Sequence, residues 1–517
     1  MPKNSSYARL CALCLQKKTA SLIVWAVVST VQPAFANGWE HTSIPLSALM
    51  TALTNPNSDV RIRAIQSLGY RHEIQVVQRL VDLIEDGEPV TRVRTAVFRS
   101  LGKIGNLQAL DVIERCLVEE RQDNVRAICA EALGGIPGSR SERLVTLALK
   151  DNARPVRANA ITSLGSFATT TSIESLSDFI WHQDEDLKLR AIESLGNTRL
   201  KQASGVLVPL IKVDSEEKVL VQVLQAAARI GGIEFQDAVR TVYEESNDSQ
   251  IRRFALVALN ATRHENAYQF ALQSLRDENI LTRILGLEII RDSGSKQDIG
   301  EIVEIALSQS QWLYERTRNW SSSEYEKTVL GLSVLIEYLR TITALDPRYG
   351  FELYAMTSNP PSLPATSPQF LKISEGFYNA KWQGLYGLGY TFNPSAEKIL
   401  SQALQDPDPR IRAVVLRSIG IYGTNVFNPL IMQATKDDSA EVRWTASRVI
   451  GRLKSKNSVS SLLEALQDSH SKVRQEAALA LGYLGDHSAI PALKNVEKTD
   501  PSQPVRQAAE LALTLLR

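Results

Sequence analysis

Residues 471–482 read SKVRQEAALALG, and this short phrase is the unit from which the chain is written. Its grammar is an apolar residue, Arg, two free positions, Ala, three free positions, Leu and Gly. Copies include Val60-Arg61 with Leu68-Gly69, Val93-Arg94 with Leu101-Gly102, Val125-Arg126 with Leu133-Gly134, and Val156-Arg157 with Leu164-Gly165. Later copies are Ile411-Arg412, Val442-Arg443 and Val505-Arg506; Lys188, Arg252, Arg283 and Lys381 fill the basic position of weaker ones. From Arg61 to Lys188 the basic positions step by 33, 32, 31 and 31 residues, and from Lys381 to Arg506 by 31, 31, 31 and 32. A fixed period of this length marks stacked repeats. The apolar position, Ala and Leu fall four apart and share one helix face. Ala suits a close helix crossing, and the Gly is expected to stop the helix by taking positive φ. A second amphipathic stretch precedes each copy, as in QVVQRLVDLI (75–84) and SVSSLLEALQD (458–468). Such a helical hairpin buries its apolar face only against a neighbour. The expected fold is all-α, a right-handed α-solenoid of helical hairpins.

Six residues before the basic position there is usually an acid, as at Glu88, Glu120, Asp151, Glu375, Asp406, Asp437, Asp468 and Asp500. This puts an acid in the turn between the helices and a base one turn into the second helix. The pattern resembles HEAT-like repeats, specifically the short type named after phycobilisome lyases, and the linker LGYLGDHSAIPAL (481–493) is close to that pattern. The resemblance implies a ladder between neighbouring repeats built from Arg61, Arg94, Arg126, Arg157, Arg412, Arg443, Arg474 and Arg506 with acids such as Asp406, Asp437, Asp468 and Asp500. One exposed pair is worth about 0–1 kcal/mol, so the ladder is expected to set register more than stability.

Residues 1–36 carry Lys3, Arg9, Lys17 and Lys18 and no acid, then the apolar run ASLIVWAVV (20–28), then Ala34-Phe35-Ala36. That is the order of a secretory signal peptide, with cleavage expected before Asn37 and the periplasm as the address. The apolar run is short for a membrane span, which needs about 20 residues. Removing four bases takes the net charge from +1 to −3, which gives no case for nucleic acid or an anionic membrane surface. Two cysteines remain after residue 36. Cys129 takes an Ala position and Cys116 lies in the preceding helix of the same hairpin. A disulfide is compatible with export, but two buried thiols are the expectation.

The expected organisation is a signal peptide at 1–36, an N-terminal array at 43–308, an irregular aromatic- and Pro-rich segment at 309–376, and a C-terminal array at 377–517. The 98 residues from Arg283 to Lys381 leave room for three units, yet only irregular helical patterns fill them. One long buried helix is expected at 324–345 and a loop at 346–369. Residues 309–395 hold 15 of the 33 aromatics, so this segment is where binding is sought. Trp312, Tyr314, Arg316, Arg318 and Trp320 are the candidate binding residues; the other reading of these side chains is that they fill space where regular packing lapses.

Chemistry is not visible. The six histidines share no metal-ligand spacing, and there is no HExxH or CxxC set. HEAT-type deoxyhypusine hydroxylases hold iron with His-Glu pairs after the basic position. Here His72-Glu73 and His264-Glu265 fall in the linkers instead, and Gln475-Glu476 follows Arg474. No metal or cofactor is therefore expected. The expected function is an exported, non-enzymatic scaffold that binds a protein or peptide in the bacterial cell envelope, without nucleic acid and without a membrane span after signal cleavage. The alternatives are a lyase-like enzyme or enzyme subunit, and a structural protein that self-associates through its repeat ends.

Overall fold

Asp408 accepts a hydrogen bond from the backbone N–H of Arg410, and Pro409 takes the first helical position, where a missing N–H costs least. The helix Pro409–Tyr422 begins there and ends at Gly423, in the left-handed region at φ 81°. Such starts and stops recur along the computed structural model, which describes residues 44–317, 325–361 and 368–516. The signal expected at 1–36 lies outside the described residues. Among them there are 28 α-helices and no strand. Each hairpin has a first helix, A, often led in by a 3-10 turn that the apolar pattern does not reveal: Ile74–Val76 precedes Val77–Glu85, and Lys456–Ser458 precedes Val459–Ala465. The second helix, B, carries the repeated phrase.

The chain divides into two compact units, Met1–Ala267 and Tyr268–Arg517, so residues 268–308, expected at the end of the N-terminal array, fall in the second. In the first unit the B helices Ser58–Tyr70, Thr91–Ile104, Asp123–Leu133, Arg154–Leu164, Glu185–Thr198, Glu217–Ile230 and Ser249–Ala261 pack each on the next. Their apolar positions are fully buried at Leu68, Val93, Val125 and Leu164, each worth roughly 1.5–3 kcal/mol. The second unit stacks Ile280–Ser293, Tyr325–Leu345, Pro368–Thr391, Pro409–Tyr422, Ala440–Leu453, Ser471–Leu484 and Gln503–Leu515 in the same way. Both units are α-solenoid stacks of hairpins.

In most copies the glycine of the phrase does not stop the helix, although Asp123–Leu133 and Arg154–Leu164 end just before a right-handed Gly134 and Gly165, and Glu217–Ile230 does stop at Gly231, with φ 69°. Gly102, Gly451 and Gly482 lie inside their helices, two residues before the end. A Cβ on Gly102 would lie 2.6 Å from the Cα of Ala132, on Gly451 2.9 Å from that of Ala480, and on Gly482 2.7 Å from that of Ala512. The glycine is where one B helix crosses the next, a role the pattern suggested for Ala. The stop comes three residues later, at Gly105, Gly423 and Gly485, but also at His72, Ala168, Arg199 and Lys454 with φ between 51° and 55°.

Cys116 and Cys129 form a disulfide, with Cα atoms 6.4 Å apart. This corrects the expectation of two thiols: helices Leu110–Glu119 and Asp123–Leu133 pack face to face, and the Ala position of the B helix points at its own A helix.

The 98 residues between Arg283 and Lys381 hold two large hairpins rather than three units. Ile299–Thr317 pairs with Tyr325–Leu345, and Phe351–Thr357 pairs with Pro368–Thr391. The helix Tyr325–Leu345 is long and apolar enough to cross a membrane. Its Leu332, Leu339 and Ile342 are buried in the stack, and its buried Glu337 pairs with Arg291 and Arg340. It is a core helix. The loop expected at 346–369 is half structured: Pro347–Gly350 is a 3-10 turn capped by Asp346, and Phe351–Thr357 is helical because Leu353, Tyr354 and Thr357 are buried together. Gly387 on the neighbouring helix lets the Tyr354 ring approach, since a Cβ there would lie 2.6 Å from it.

Candidate functional site

The repeated arginines reach in two directions. Nη1 of Arg126, Arg412, Arg443 and Arg474 donates to carbonyls five and six residues earlier, at 2.8–3.3 Å. Nε and Nη2 of each grip a carboxylate of the next repeat: Arg126 takes Asp151, Arg412 takes Asp437, Arg443 takes Asp468 and Arg474 takes Asp500, all at 2.6–3.1 Å. Arg61 grips Glu88 in the same manner, Arg94 reaches Glu120 at 3.2 Å, and Lys381 reaches Asp406. The acid works twice, because its other bond is to the backbone N–H two residues on, as from Ala153 to Asp151 and from Ser502 to Asp500. Arg157 holds the Asp151 and Asn152 carbonyls, and Arg506 holds the Asp500 carbonyl. Hydrogen bonds from Arg126 and Arg474 hold Asp151 and Asp500 below the usual carboxylate range. For Asp437 and Asp468, burial opposes ionisation, and the arginine and backbone hydrogen bonds outweigh it. These are bidentate, largely buried pairs, with side-chain exposure of 5–17% in the four bidentate Arg–Asp pairs. They are a different class from the exposed pair assumed for register alone.

A second arrangement is half exposed. Tyr378, Trp382, Tyr386 and Tyr390 follow one another at four-residue spacing along Pro368–Thr391 and so share a face. Trp382 stacks on Tyr386 with centroids 5.5 Å apart, and Tyr386 meets Tyr390 edge-on at 5.5 Å with the hydroxyls 3.0 Å apart. Burial pushes the Tyr390 hydroxyl up to about 12. The next two B helices bring cations. The Arg410 guanidinium lies 4.8 Å from the centre of the Tyr378 ring, and Trp444 has Arg448 at 4.9 Å and Arg417 at 5.8 Å. Contacts of this kind are worth about 0.5–1 kcal/mol each at exposed sites. Glu441 holds Arg417, and Glu476 holds both Arg448 and Lys472. Burial works against the Glu476 charge, and hydrogen bonds from Arg448 and Lys472 keep its pKa below the usual value all the same. The arginines are therefore fixed before anything binds, which lowers the ordering cost of an encounter. Trp, Tyr and Arg are the residues that dominate interface energies.

Of the five candidate binding residues, only Tyr314 has a described side chain. Its ring meets Phe377 edge-on at 5.2 Å, its hydroxyl is buried without a partner, and burial pushes its pKa well above the usual tyrosine value. It is packing between helices. The side chains of Trp312 and Arg316, and Arg318 and Trp320 entirely, lie outside the described residues. Arg417 and Arg448, missed by sequence reasoning, each sit five residues after a ladder arginine, in a position the phrase leaves free. That offset, with the four-residue tyrosine spacing, was the available signal. Glu375, read as a turn acid, lies within the long helix Pro368–Thr391. His72 sits at a left-handed stop, and His264 accepts the backbone N–H of Asn266 through Nδ1. Among the described residues no group of three His, Cys, Asp or Glu is placed to hold a metal ion.

The family model for HEAT repeats matches residues 46–134, 117–196, 141–228 and 427–514, together 271 of the 517 residues. A search of curated proteins returns no match. Among solved structures, Kap95p, described in its work with RanGDP, is similar at 14% identity and a TM-score of 0.55, over 97% of this chain and 80% of that one. Importin beta is 12% identical with a TM-score of 0.46, over 91% of this chain and 79% of its own. At such identities the likeness to Kap95p speaks to the fold alone. With the family match covering more than half of its residues, the chain belongs to the HEAT repeat family.

Proposed function

We propose that the chain is an exported, non-enzymatic HEAT-repeat scaffold that binds a protein or peptide in the cell envelope. The 31-residue step favours the short phycobilisome-lyase type of repeat within that family. The observation that carries the binding role is the preorganised face of Tyr378, Trp382, Tyr386, Trp444, Arg417 and Arg448. Kap95p, the fold's solved likeness, is described as binding RanGDP, which supports protein recognition on such a stack. Export is supported by the charge and apolar order of residues 1–36, and by a disulfide, a bond that persists in oxidising compartments.

Affinity capture from envelope extract tests this, using the purified protein beside two variants. One carries Trp382→Ala, Trp444→Ala and Arg448→Ala; the other carries Trp312→Ala, Arg316→Ala, Arg318→Ala and Trp320→Ala. A partner held by the parent and lost by the first variant, at equal helical content, is the expected result. Loss only in the second would move the site to the segment first suspected from sequence. No partner in any arm, with mass rising with concentration, would favour self-association instead. N-terminal sequencing of the exported protein is expected to begin at Asn37.

A further inference from the structure

Helices Ile280–Ser293, Ile299–Thr317 and Tyr325–Leu345 enclose a cavity of about 260 Å³. Its wall is apolar at Ile280, Leu313, Val334 and Leu335, and polar at Arg283, Gln309 and Lys327. Arg283 stands in the basic position of its repeat. Where the ladder is complete, the Nε and Nη2 edge of that arginine holds a carboxylate 25 to 27 residues ahead. Twenty-six residues ahead of Arg283 stands Gln309, a neutral amide. Its Oε1 accepts from Arg283 Nη1 at 3.1 Å and from the Tyr338 hydroxyl at 3.3 Å, while its nitrogen donates to the Leu275 carbonyl at 2.8 Å. The amide is thus locked in place, and it leaves Arg283 Nε buried without a partner. Burial pulls the Arg283 pKa below the usual value, with Tyr338 and Asp277 opposing that shift. Arginine still keeps its charge at neutral pH. At the cavity wall Gly331 has no side chain, so the space beside Leu313 stays open.

We propose that this cavity binds a carboxylate carried on a short apolar chain, with Arg283 taking the carboxylate and Leu313, Val334 and Leu335 taking the chain. The protein supplies its own precedent: the same arginine position binds Asp or Glu at five complete bidentate rungs, and a fork of guanidinium N–H groups matches a carboxylate edge. Lys327 is exposed at the wall, so water screens its positive charge. Glu278, also at the wall, is exposed, where water screens its repulsion. The carboxylate source is either a free short-chain acid or the C-terminus of a peptide ending in apolar residues. This site stands apart from the aromatic face and does not depend on it.

Calorimetric titration of the purified protein with hexanoate, hexan-1-ol, N-acetyl-dileucine and the amide of that dipeptide tests the proposal. Hexanoate is expected to bind at least about tenfold more tightly than the alcohol, a difference of about 1.4 kcal/mol. Gln309→Glu supplies the missing carboxylate from within the ladder. That variant gives up the donation to the Leu275 carbonyl for a charged bond to Arg283, so it is expected to melt close to the parent and to lose hexanoate affinity by about tenfold or more. Equal binding of acid and alcohol, unchanged affinity in Gln309→Glu, or no carboxylate binding at about 10 mM would each overturn the assignment. If the dipeptide acid binds more tightly than both its amide and hexanoate, the source is a peptide C-terminus; if hexanoate binds most tightly, it is a free acid.

Discussion

Within the second unit two stretches of similar length are built by different rules. From Pro409 to Leu515 the B helices are 13 or 14 residues long, and Arg412, Arg443 and Arg474 each hold the acid of the following turn. Between 280 and 391 the later B helices run to 21 and 24 residues, and Arg283 faces an amide. In the regular stretch, register is fixed by one strong polar contact per repeat and one close glycine crossing. In the large hairpins it is fixed by buried volume: Tyr338 and Tyr354 are among the largest fully buried side chains of the protein. Big side chains on unequal helices leave a cavity here and carry the Trp382 side of a half-exposed aromatic face.

The largest expected effect that separates the stretches is at the arginine. Arg443→Ala strands the largely buried Asp468 and two turn carbonyls, and is expected to cost about 2–4 kcal/mol in urea unfolding. Arg283→Ala strands no carboxylate and is expected to cost less than about 1 kcal/mol. Equal losses would mean that the arginines act by packing, and the contrast would collapse. Next comes the glycine. Gly451→Ala drives a Cβ to 2.9 Å from the Ala480 backbone, for a loss of about 1–3 kcal/mol. Gly331→Ala meets only a Leu313 methyl at 3.2 Å and gains up to about 1 kcal/mol of helix propensity, so its melting temperature is expected to hold or rise.

The stretches also answer pH with opposite sign. Asp437, Asp468 and Asp500 have lowered pKa values, so their contribution is present above the ordinary carboxylate range and is lost as pH falls below it. Glu288 is pushed up to about 7, by burial first and then by Glu337, against the pull of Arg291. Its folded form holds the proton more tightly than the unfolded chain, so that contribution is present at low pH and lost as pH rises from about 4.5 to about 7. Glu288→Gln is expected to be more stable than the parent at pH 8, by on the order of 1–3 kcal/mol, and equal to it near pH 4.5. A parallel pH profile in the two proteins would remove Glu288 from the account. The smallest effect is at the helix stops. Lys454→Gly relieves a left-handed residue at φ 51° and is expected to gain about 0.5–1 kcal/mol. Phe392→Gly, at φ 50°, gives up the contact with Tyr422 and is expected to be near neutral in the same melting assay.

The hairpin period was legible because one side-chain requirement per repeat, an arginine between two turns, has to recur at a fixed distance. The glycine was misread for a physical reason. A local rule assigns Gly to a helix end, but here the adjacent helix leaves no room for a Cβ, and that neighbour is about 30 residues away in sequence. The true stops were invisible because His72, Arg199 and Lys454 occupy them as readily as glycine does. The 98-residue gap read as an irregular segment because the phrase is lost there; Ile299–Thr317 and Pro368–Thr391 are longer helices than the phrase predicts. The aromatic excess at 309–395 includes the helix that carries Tyr378, Trp382, Tyr386 and Tyr390. Which aromatics stay at the surface was set by packing: Tyr314 turned inward against Phe377, while Trp382 and Trp444 found arginine or tyrosine partners at a half-open face.

Each rung reads only an acid in the next turn, and each crossing reads only a small or yielding residue on the next helix. Neighbours are thus interchangeable. Removing residues 438–468, one whole step of 31, would leave Arg412 bound to Asp437, hand the cap of that acid to the His470 N–H, and bring Gly420 against Ala480 in place of Val449. A cut two residues shorter or longer would keep Arg412 beside Asp437 but put Ala480 out of step with Gly420. From Pro409 to Leu515 the stack can therefore change length only in whole repeats, which makes its joints copies of a single part that can be counted.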